Sequence, residues 1–189
     1  MSAPVSERSV LLKETRDRRI DRAPAPLDAS ISRLPAISQL RASDRIHRLE
    51  RTGFRSFDRQ WCIADTRVGD FIRPSLWATH GDSQVYLATM MSGALGAGPA
   101  ATVSAHVPDC HYFCGRGGKD IFPLWRDVPG TAPNIASSFA AALKTAYGKA
   151  PSPEDVFAYA YAVFANPGYV KRYEEELQAP GPRLPFTKE

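Results

Sequence analysis

The chain has 189 residues, of which 43% are hydrophobic and 23% are charged, a composition typical of a folded domain and unlike that of a disordered chain. It has no apolar run long enough to cross a membrane and no secretory signal at its N-terminus, so we expect a cytoplasmic protein without membrane contact. Its three cysteines lack the paired spacing of a disulfide scaffold, which indicates reduced thiols.

The net charge of +4 is unevenly distributed. Residues 1–60 carry 13 Lys and Arg against 8 Asp and Glu, whereas the remaining residues carry 11 against 12. A basic first third is typical of chains that bind a polyanion such as DNA, and equally of a basic arm that only confers solubility. The charge distribution alone leaves both interpretations open.

The first part of the chain is polar and interrupted by proline, and we expect residues 1–39 to form a partly ordered arm ahead of a domain at 40–189. In the following segment, SDRIHRLERTGF, Ser43 can cap a helix, and Ile46 and Leu49 are three residues apart. The pattern predicts a short basic helix. Its neighbouring stripe consists of Arg45, Arg48 and Arg51.

Between Phe54 and Trp125, short runs of aromatic and β-branched residues alternate with Gly, Pro and Asp. The runs RQWCIAD, QVYLATMM, ATVSAHV and DIFPLW predict a mainly antiparallel mixed sheet. The glycine-rich stretch SGALGAGPAA is predicted to be a loop that could connect a hairpin. We expect Trp61, Trp77 and Trp125 to be core residues.

Three helices are predicted in the last third of the chain. The first has apolar residues at helical spacing from Ile135 and ends at Gly148. The second begins at Ser152, which can form a capping box with Asp155, and its apolar residues cover enough of its circumference to predict that it is largely buried. The third begins at Asn166. The order of arm with short helix, sheet and three C-terminal helices predicts an α+β fold.

The segment HYFCGRGGKDIFPLW, residues 111–125, matches no nucleotide-binding loop. A P-loop would have a hydroxyl residue where Asp120 follows the Gly-Lys pair, and a dinucleotide loop would open a helix, whereas KDIFPLW is typical of a strand. What remains is a turn that presents Arg116 and Lys119. Their side chains would meet phosphates, or the guanine edge in the case of arginine, or would simply be solvated, and the spacing does not decide between these.

Four potential zinc ligands lie within nine residues, namely His106, Cys110, His111 and Cys114. Their spacing does not match the common zinc motifs, and adjacent residues on a strand would point to opposite faces. We therefore predict no metal site. We interpret the cysteines as small residues that fill space beside a buried strand.

Motifs of catalysis are absent, since the sequence contains no G-x-S-x-G, no H-E-x-x-H and no carboxylate pair with acid–base spacing. The run AVFANPGY imitates the Asn-Pro-Pro-Tyr motif with which amino-methyltransferases hold the target amine. Because Gly168 replaces the second proline and the preceding run is helical in period, we interpret Asn166 as a helix cap. We predict that the chain by itself is not an enzyme.

Dispersed motifs, in matching order, span roughly residues 40–186. They are Arg-x-Phe-Asp-x-x-Trp at Arg55, Phe57, Asp58 and Trp61; Arg-Pro-x-Leu-Trp at Arg73, Pro74, Leu76 and Trp77; Gly-Arg-Gly-Gly at 115–118; and Arg-x-Pro-Phe at Arg183, Pro185 and Phe186. Together they resemble the C-terminal specificity domain of type ISP restriction-modification enzymes and of related adenine-specific DNA methyltransferases.

The resemblance implies a module that recognises the DNA sequence to be methylated, next to a core that uses S-adenosylmethionine. We find no such core in this sequence, so we expect the chain to bind no cofactor itself. Its expected partners are double-stranded DNA and a methyltransferase or nuclease core, supplied in trans or by a split gene, in bacterial restriction-modification or phage defence. As an alternative, the aromatic-rich helical residues 153–178 would dock such a core, and DNA contact would be incidental.

The expected DNA contacts are basic side chains, some on phosphates and some on base edges, and the sequence does not assign each to a class. Asp58 could accept from the cytosine amine, but an ion pair with Arg55 or Arg59 is the preferred interpretation. The predicted DNA-binding residues are Arg45, Arg48, Arg51, Arg55, Arg59, Arg73, Arg116 and Lys119.

Overall fold

The computed structural model describes residues 3–15, 18–21, 35–44, 49–91, 95, 98–112 and 120–187. The chain divides into two units. The first comprises residues 1–52 and 60–78, and the second comprises residues 53–59 and 79–189.

Within the described residues, the short strands lie in the middle of the chain, interrupted by one short helix, and three helices follow them. The helices are α1 (Val5–Leu11), α2 (Pro74–Trp77), α3 (Ser137–Tyr147), α4 (Pro153–Ala165) and α5 (Pro167–Arg172), and short 3₁₀ turns lie at Ile37–Gln39 and Glu176–Gln178. The strands are β1 (Leu49–Arg55), β2 (Asp58–Ile63), β3 (Tyr86–Thr89), β4 (Thr102–Ser104), β5 (Val107–Pro108) and β6 (Asp120–Pro123). They form two three-stranded sheets, ordered β2-β1-β5 and β4-β3-β6. The predicted α+β class is confirmed.

The first unit contains a buried ion pair between Arg67 and Asp65, whose residues are each 2% exposed. The Arg67 Nε donates to both Asp65 carboxylate oxygens, at 2.9 and 3.0 Å, and its Nη1 donates to the Pro35 carbonyl at 3.0 Å. A buried guanidinium is tolerated only when its donors are satisfied. The pair therefore ties the segment at residue 35 to the turn that follows β2.

A second arginine attaches helix α1 within the same unit. The Arg8 Nη1 donates to the carbonyls of Ile37 and Leu40, at 2.6 and 2.8 Å, and both of those residues are buried. Charged donors make stronger hydrogen bonds than neutral ones, so a short helix with no buried residue of its own is still held in place.

The second unit is built on β3, whose four residues are all buried. It pairs antiparallel with β4 and with β6, so that Leu87 lies opposite Val103 on one side and Phe122 on the other. Helices α4 and α5 contribute Phe164 and neighbouring apolar side chains to the same core. Because this middle strand is buried on both faces, Tyr86, Leu87 and Ala88 do not alternate with polar residues, and the buried Thr89 donates its hydroxyl to the Ala100 carbonyl at 2.7 Å.

The predicted helix ends are confirmed. Helix α3 ends at Gly148, which has the left-handed φ of +77° that favours glycine. At the start of α4, the Asp155 amide donates to the Ser152 Oγ at 3.0 Å and the Ser152 amide donates to the Asp155 carboxylate at 3.2 Å, which completes the capping box. Hydrogen bonding of the Asp155 carboxylate by the Ser152 side chain, and then by the Ser152 amide, lowers the pKa of Asp155. Asn166 caps α5 by accepting from the amides of Gly168 and Tyr169, at 2.7 and 3.3 Å.

Two expectations about the helices are wrong. Helix α4 is not largely buried, because only its inner face packs on the core and Tyr159 and Tyr161 are exposed. Their rings are amphipathic, and the Tyr159 hydroxyl donates to the Pro185 carbonyl at 2.7 Å. The short basic helix predicted from Ser43 is also wrong where the structure describes it, since residues Leu49–Arg55 form β1. Gly53 disfavours a helix in this segment, because glycine inside a helix costs about 1 kcal/mol of stability relative to alanine. The segment instead forms a strand that pairs with β2 and β5.

The predicted strands are confirmed, and β3 and β4, between which SGALGAGPAA lies in the sequence, pair antiparallel. Residues 92–94 and 96–97 of this predicted loop lie outside the described residues. Trp125 is buried, as expected, and Trp77 is partly buried. Trp61 is 61% exposed, so its prediction as a core residue is wrong. None of the helices in the described ranges has the length and apolar content that a membrane crossing requires.

Replacing Asp65 tests the buried ion pair. We expect Asp65→Asn to lower the free energy of unfolding by about 3–5 kcal/mol, because it leaves the Arg67 guanidinium buried without a counter-charge. Urea denaturation measures the loss. The matched change Asp70→Asn, at an exposed carboxylate in the same unit, should stay within about 0.5 kcal/mol. Equal losses for the two variants would contradict this role of the pair.

Replacing Asn166 tests whether its side chain acts as the N-terminal cap of α5. Because aspartate caps as well as asparagine does, we expect Asn166→Asp to keep the stability of the protein, whereas Asn166→Ala should cost about 1 kcal/mol. Thermal and urea unfolding of both variants measure these effects. A large loss of stability in the aspartate variant, or none in the alanine variant, would show that the side chain does not act as a cap.

Candidate nucleic-acid interface

A basic β-hairpin carries three of the predicted DNA-binding residues. Strands β1 and β2 are neighbours in their sheet and are joined by the two-residue turn Ser56-Phe57. Every residue from Arg55 to Trp61 is exposed. Residues 53–59 of the hairpin belong to the second unit and the rest to the first. A two-stranded ribbon of this kind is narrow enough to enter the major groove of B-form DNA.

In the second unit, Arg55 is held in a defined orientation at the end of β1. Its guanidinium carbon lies 4.1 Å from the centroid of the Phe54 ring. Its Nη1 donates to the Phe54 carbonyl at 2.6 Å and to the Asp109 carboxylate at 3.3 Å. The side chain remains 47% exposed. Arg55 therefore presents a partly compensated positive charge on a fixed stem.

The turn that follows β5 supports the hairpin tip, residues 53–59. The Asp109 amide donates to the Gly53 carbonyl at 2.8 Å, and the Ser56 hydroxyl donates to the Tyr112 carbonyl at 3.3 Å. The Tyr112 hydroxyl donates to the Val103 carbonyl at 3.0 Å, so this buried ring is fixed from below. Backbone and side-chain hydrogen bonds thus hold the β1 side of the tip and its turn.

Gly53 is required by the close approach of the tip to Tyr112. A Cβ atom at residue 53 would lie 2.8 Å from the Tyr112 Cε2, a distance that real Cβ contacts do not show. Because the tyrosine ring is buried, it cannot swing aside as an exposed side chain would. The strand and the turn are therefore packed directly against each other.

In the first unit, the guanidinium of Arg51 lies over the Trp61 ring, with its central carbon 4.3 Å from the ring centroid. Such cation–π pairs contribute about 0.5–1 kcal/mol at exposed sites and align the guanidinium with the ring plane. Trp61 was missed as a surface residue by the sequence analysis. The alternation of arginines and aromatics along RTGFRSFDRQW was the signal that could have identified it.

Among the described residues, Arg73 is a predicted DNA-binding residue that lies outside this hairpin. It is partly buried and occupies the N-cap position of α2 with a positive φ of +56°, without a capping hydrogen bond from its side chain. Arg73 and the nearby Phe71, which has a φ of +53°, both adopt the strained left-handed conformation. Two such residues mark a tightly constrained turn. Four further predicted residues lie outside the described residues, namely Arg45, Arg48, Arg116 and Lys119.

Within the described residues, a single set of three side chains could hold a metal ion, namely Asp109, Cys110 and His111. The adjacent Cys110 and His111 do not point to opposite faces, as was expected for a strand, because they lie in a turn and the cysteine Sγ is 3.1 Å from the histidine Nδ1. The Asp109 carboxylate also accepts from the His111 amide at 2.8 Å and from Arg55. The Asp109 carboxylate is thus engaged in hydrogen bonds that hold the hairpin tip. Cys114 lies outside the described residues.

The fold is similar to that of a chain in the cryo-electron microscopy structure of the DrdV–DNA complex, with a TM-score of 0.61 and 22% sequence identity. The similarity covers 98% of this chain and 18% of that chain, so this chain spans less than a fifth of the length of its structural relative. Among curated proteins, none shows significant sequence similarity.

The sequence model of the type ISP C-terminal specificity domain matches residues 1–189, so the match includes the basic arm as well as the hairpin and the helices. This match confirms the resemblance that the dispersed motifs indicated. The chain therefore belongs to the type ISP C-terminal specificity domain family.

Proposed function

We propose that this chain is the DNA sequence-recognition module of a restriction-modification or phage-defence methyltransferase, without a catalytic core of its own. The observation that carries the proposal is the match of a specificity-domain family over the whole chain. The relative of similar fold was solved in a complex with DNA and is much longer, which fits a module that works beside other domains.

The exposed hairpin supplies the surface on which the proposal rests. In the second unit, Arg55 and Arg59 offer guanidinium groups that can bind phosphates or the O6 and N7 atoms of guanine, and in the first unit Arg51 offers another. Gln60, which the sequence analysis did not single out, is exposed and offers an amide that can pair with the N6 and N7 of adenine. Phosphate contacts would set the register of the module, and the remaining contacts would read bases.

The other sequence-based assignments remain part of the same proposal. Recognition is placed in residues 40–189, with residues 1–39 as a basic arm. Arg73, elsewhere in the first unit, is a further DNA contact. The remaining DNA contacts are Arg45, Arg48, Arg116 and Lys119. S-adenosylmethionine and the methyl transfer belong to a methyltransferase core, which would act in trans or as another part of a longer protein.

A second candidate function is docking of that core by the helical residues 153–178. It is favoured by an open apolar cavity of about 370 Å³, whose lining includes Phe139, Val156 and Ala160. Most of the aromatic side chains of these helices, however, pack on the core of their own unit. This observation favours a structural role for the helices and leaves DNA recognition as the better-supported function.

The salt dependence of DNA binding discriminates between the two functions. We expect binding to a labelled duplex to weaken steeply with salt, with a slope of about −0.9 in log K against log salt concentration for each phosphate neutralised. Fluorescence anisotropy at several salt concentrations measures the slope. A flat and weak response would contradict DNA recognition and support docking.

The substitution Arg59→Gln tests whether the hairpin tip is the DNA-binding surface. As a phosphate contact it should weaken binding to all sequences and reduce the slope by about 1, and as a base reader it should cost about 1–3 kcal/mol at one position of the site. Arg126→Gln removes the same charge from an exposed residue elsewhere in the second unit and serves as the matched control. If both variants lost the same affinity, the hairpin would not be the binding surface.

A further inference from the structure

The hairpin tip carries an aromatic side chain that the fold does not use. Phe57 is the second residue of the turn between β1 and β2, and its relative exposure is 103%. Phenylalanine is normally among the residues that proteins bury. A fully exposed ring at the end of a hairpin therefore calls for an explanation outside the packing of this chain.

The turn itself does not require phenylalanine. Among the described residues, positive φ angles outside glycine occur at Phe71 and Arg73 and not at Ser56 or Phe57, so both turn residues have ordinary backbone angles. Tight turns favour Gly, Asn, Asp and Ser, whose side chains or flexibility help to close the turn. An aromatic ring at this position contributes nothing to closure.

The ring stands on a rigid support. The preceding Ser56 donates from its hydroxyl to the Tyr112 carbonyl at 3.3 Å. The Tyr112 hydroxyl in turn donates to the Val103 carbonyl at 3.0 Å and lies 3.4 Å from the Ser56 carbonyl. The Gly53 carbonyl is bonded to the Asp109 amide. A group that is held in its binding position before the partner arrives loses little conformational entropy on binding. The exposure of Phe57 is thus combined with preorganisation.

The charges beside the ring indicate which partner it meets. Arg55 and Arg59 flank it within the tip, together with the acidic Asp58, and all three are exposed. Arginine and aromatic residues also occur in protein–protein interfaces, but nucleic-acid-binding surfaces combine basic side chains along the backbone with aromatic rings that stack on bases. In a chain that belongs to a specificity-domain family, an exposed ring with arginines on both sides therefore favours DNA as the partner.

We propose that Phe57 is a base-stacking residue that inserts its ring at a base step of the bound duplex, while Arg55 and Arg59 contact the flanking phosphates. The inference rests on the proposed function, because it requires that the chain binds DNA. Apolar wedges of this kind partly unstack a base step and bend the duplex. Their insertion is easier where a base is already unpaired.

Two duplexes that differ only by one central mismatch test the insertion. We expect the protein to bind the mismatched duplex about fivefold more tightly or better, since base–aromatic stacking is gained at a lower cost of unstacking. In Phe57→Ala this preference should fall to about one, while the salt slope stays that of the unsubstituted protein. Phe57→Trp should keep the preference, and Phe57→Leu, which keeps an apolar side chain but has no ring to stack on a base, should retain only part of it.

The controls separate the inference from the function on which it rests. Tyr161→Ala removes an exposed ring from α4 and should keep the mismatch preference. An unchanged urea midpoint for Phe57→Ala will show that the fold is intact. Salt-dependent binding without a mismatch preference, or a preference that survives in Phe57→Ala, would overturn base stacking alone. If the unsubstituted protein bound neither duplex, DNA recognition itself would fail, and the inference with it.

Discussion

The proposed recognition surface depends on the way in which the turn at residues 109–112 holds the hairpin tip. Asp109 bonds the Gly53 carbonyl with its amide and the Arg55 guanidinium with its carboxylate, and Tyr112 packs where a side chain on Gly53 would otherwise lie. One short turn thereby fixes the backbone and the first cation of the tip. Without it, the tip would be an exposed two-stranded ribbon, which is marginally stable in water.

This arrangement matters for binding because long basic side chains lose rotamer entropy when they are immobilised. Arg55 has already lost part of that freedom, since it stacks on Phe54 and is paired with Asp109. In the first unit, Arg51 is similarly aligned with the Trp61 ring. Contacts made from such positions cost less on association than contacts made from freely moving side chains. The pairing with Asp109 also reduces the charge that Arg55 offers, so its orientation contributes more than its net charge.

Local signals in the sequence were sufficient to predict the C-terminal helices. The capping box at Ser152, the cap at Asn166 and the stop at Gly148 each depend on residues within four positions of one another. The same reasoning failed at Leu49–Arg55, because the strand is stabilised by pairing with β2 and β5 and not by anything within the segment. A weak helical period cannot outweigh such non-local pairing.

The candidate site was predicted only in part, for a related reason. Arginines at 51, 55 and 59 were identified from charge and from the family resemblance, but the partner of Arg55 is 54 residues away along the chain, and no local pattern indicates it. Trp61, in a strand-like segment, was predicted to be a core residue but is exposed, and the sequence analysis did not single out the exposed Phe57. Burial depends on the neighbours that the fold supplies, and the sequence of a hairpin does not specify them.

The support given by Tyr112 can be tested directly by measuring the DNA affinity of Gly53→Ala. The account predicts that the added methyl group displaces the tip from Tyr112 and lowers the affinity about tenfold or more, a loss of about 1.4 kcal/mol, while the protein still unfolds cooperatively. An affinity equal to that of the unsubstituted protein would show that DNA recognition does not depend on the hairpin tip held by this turn.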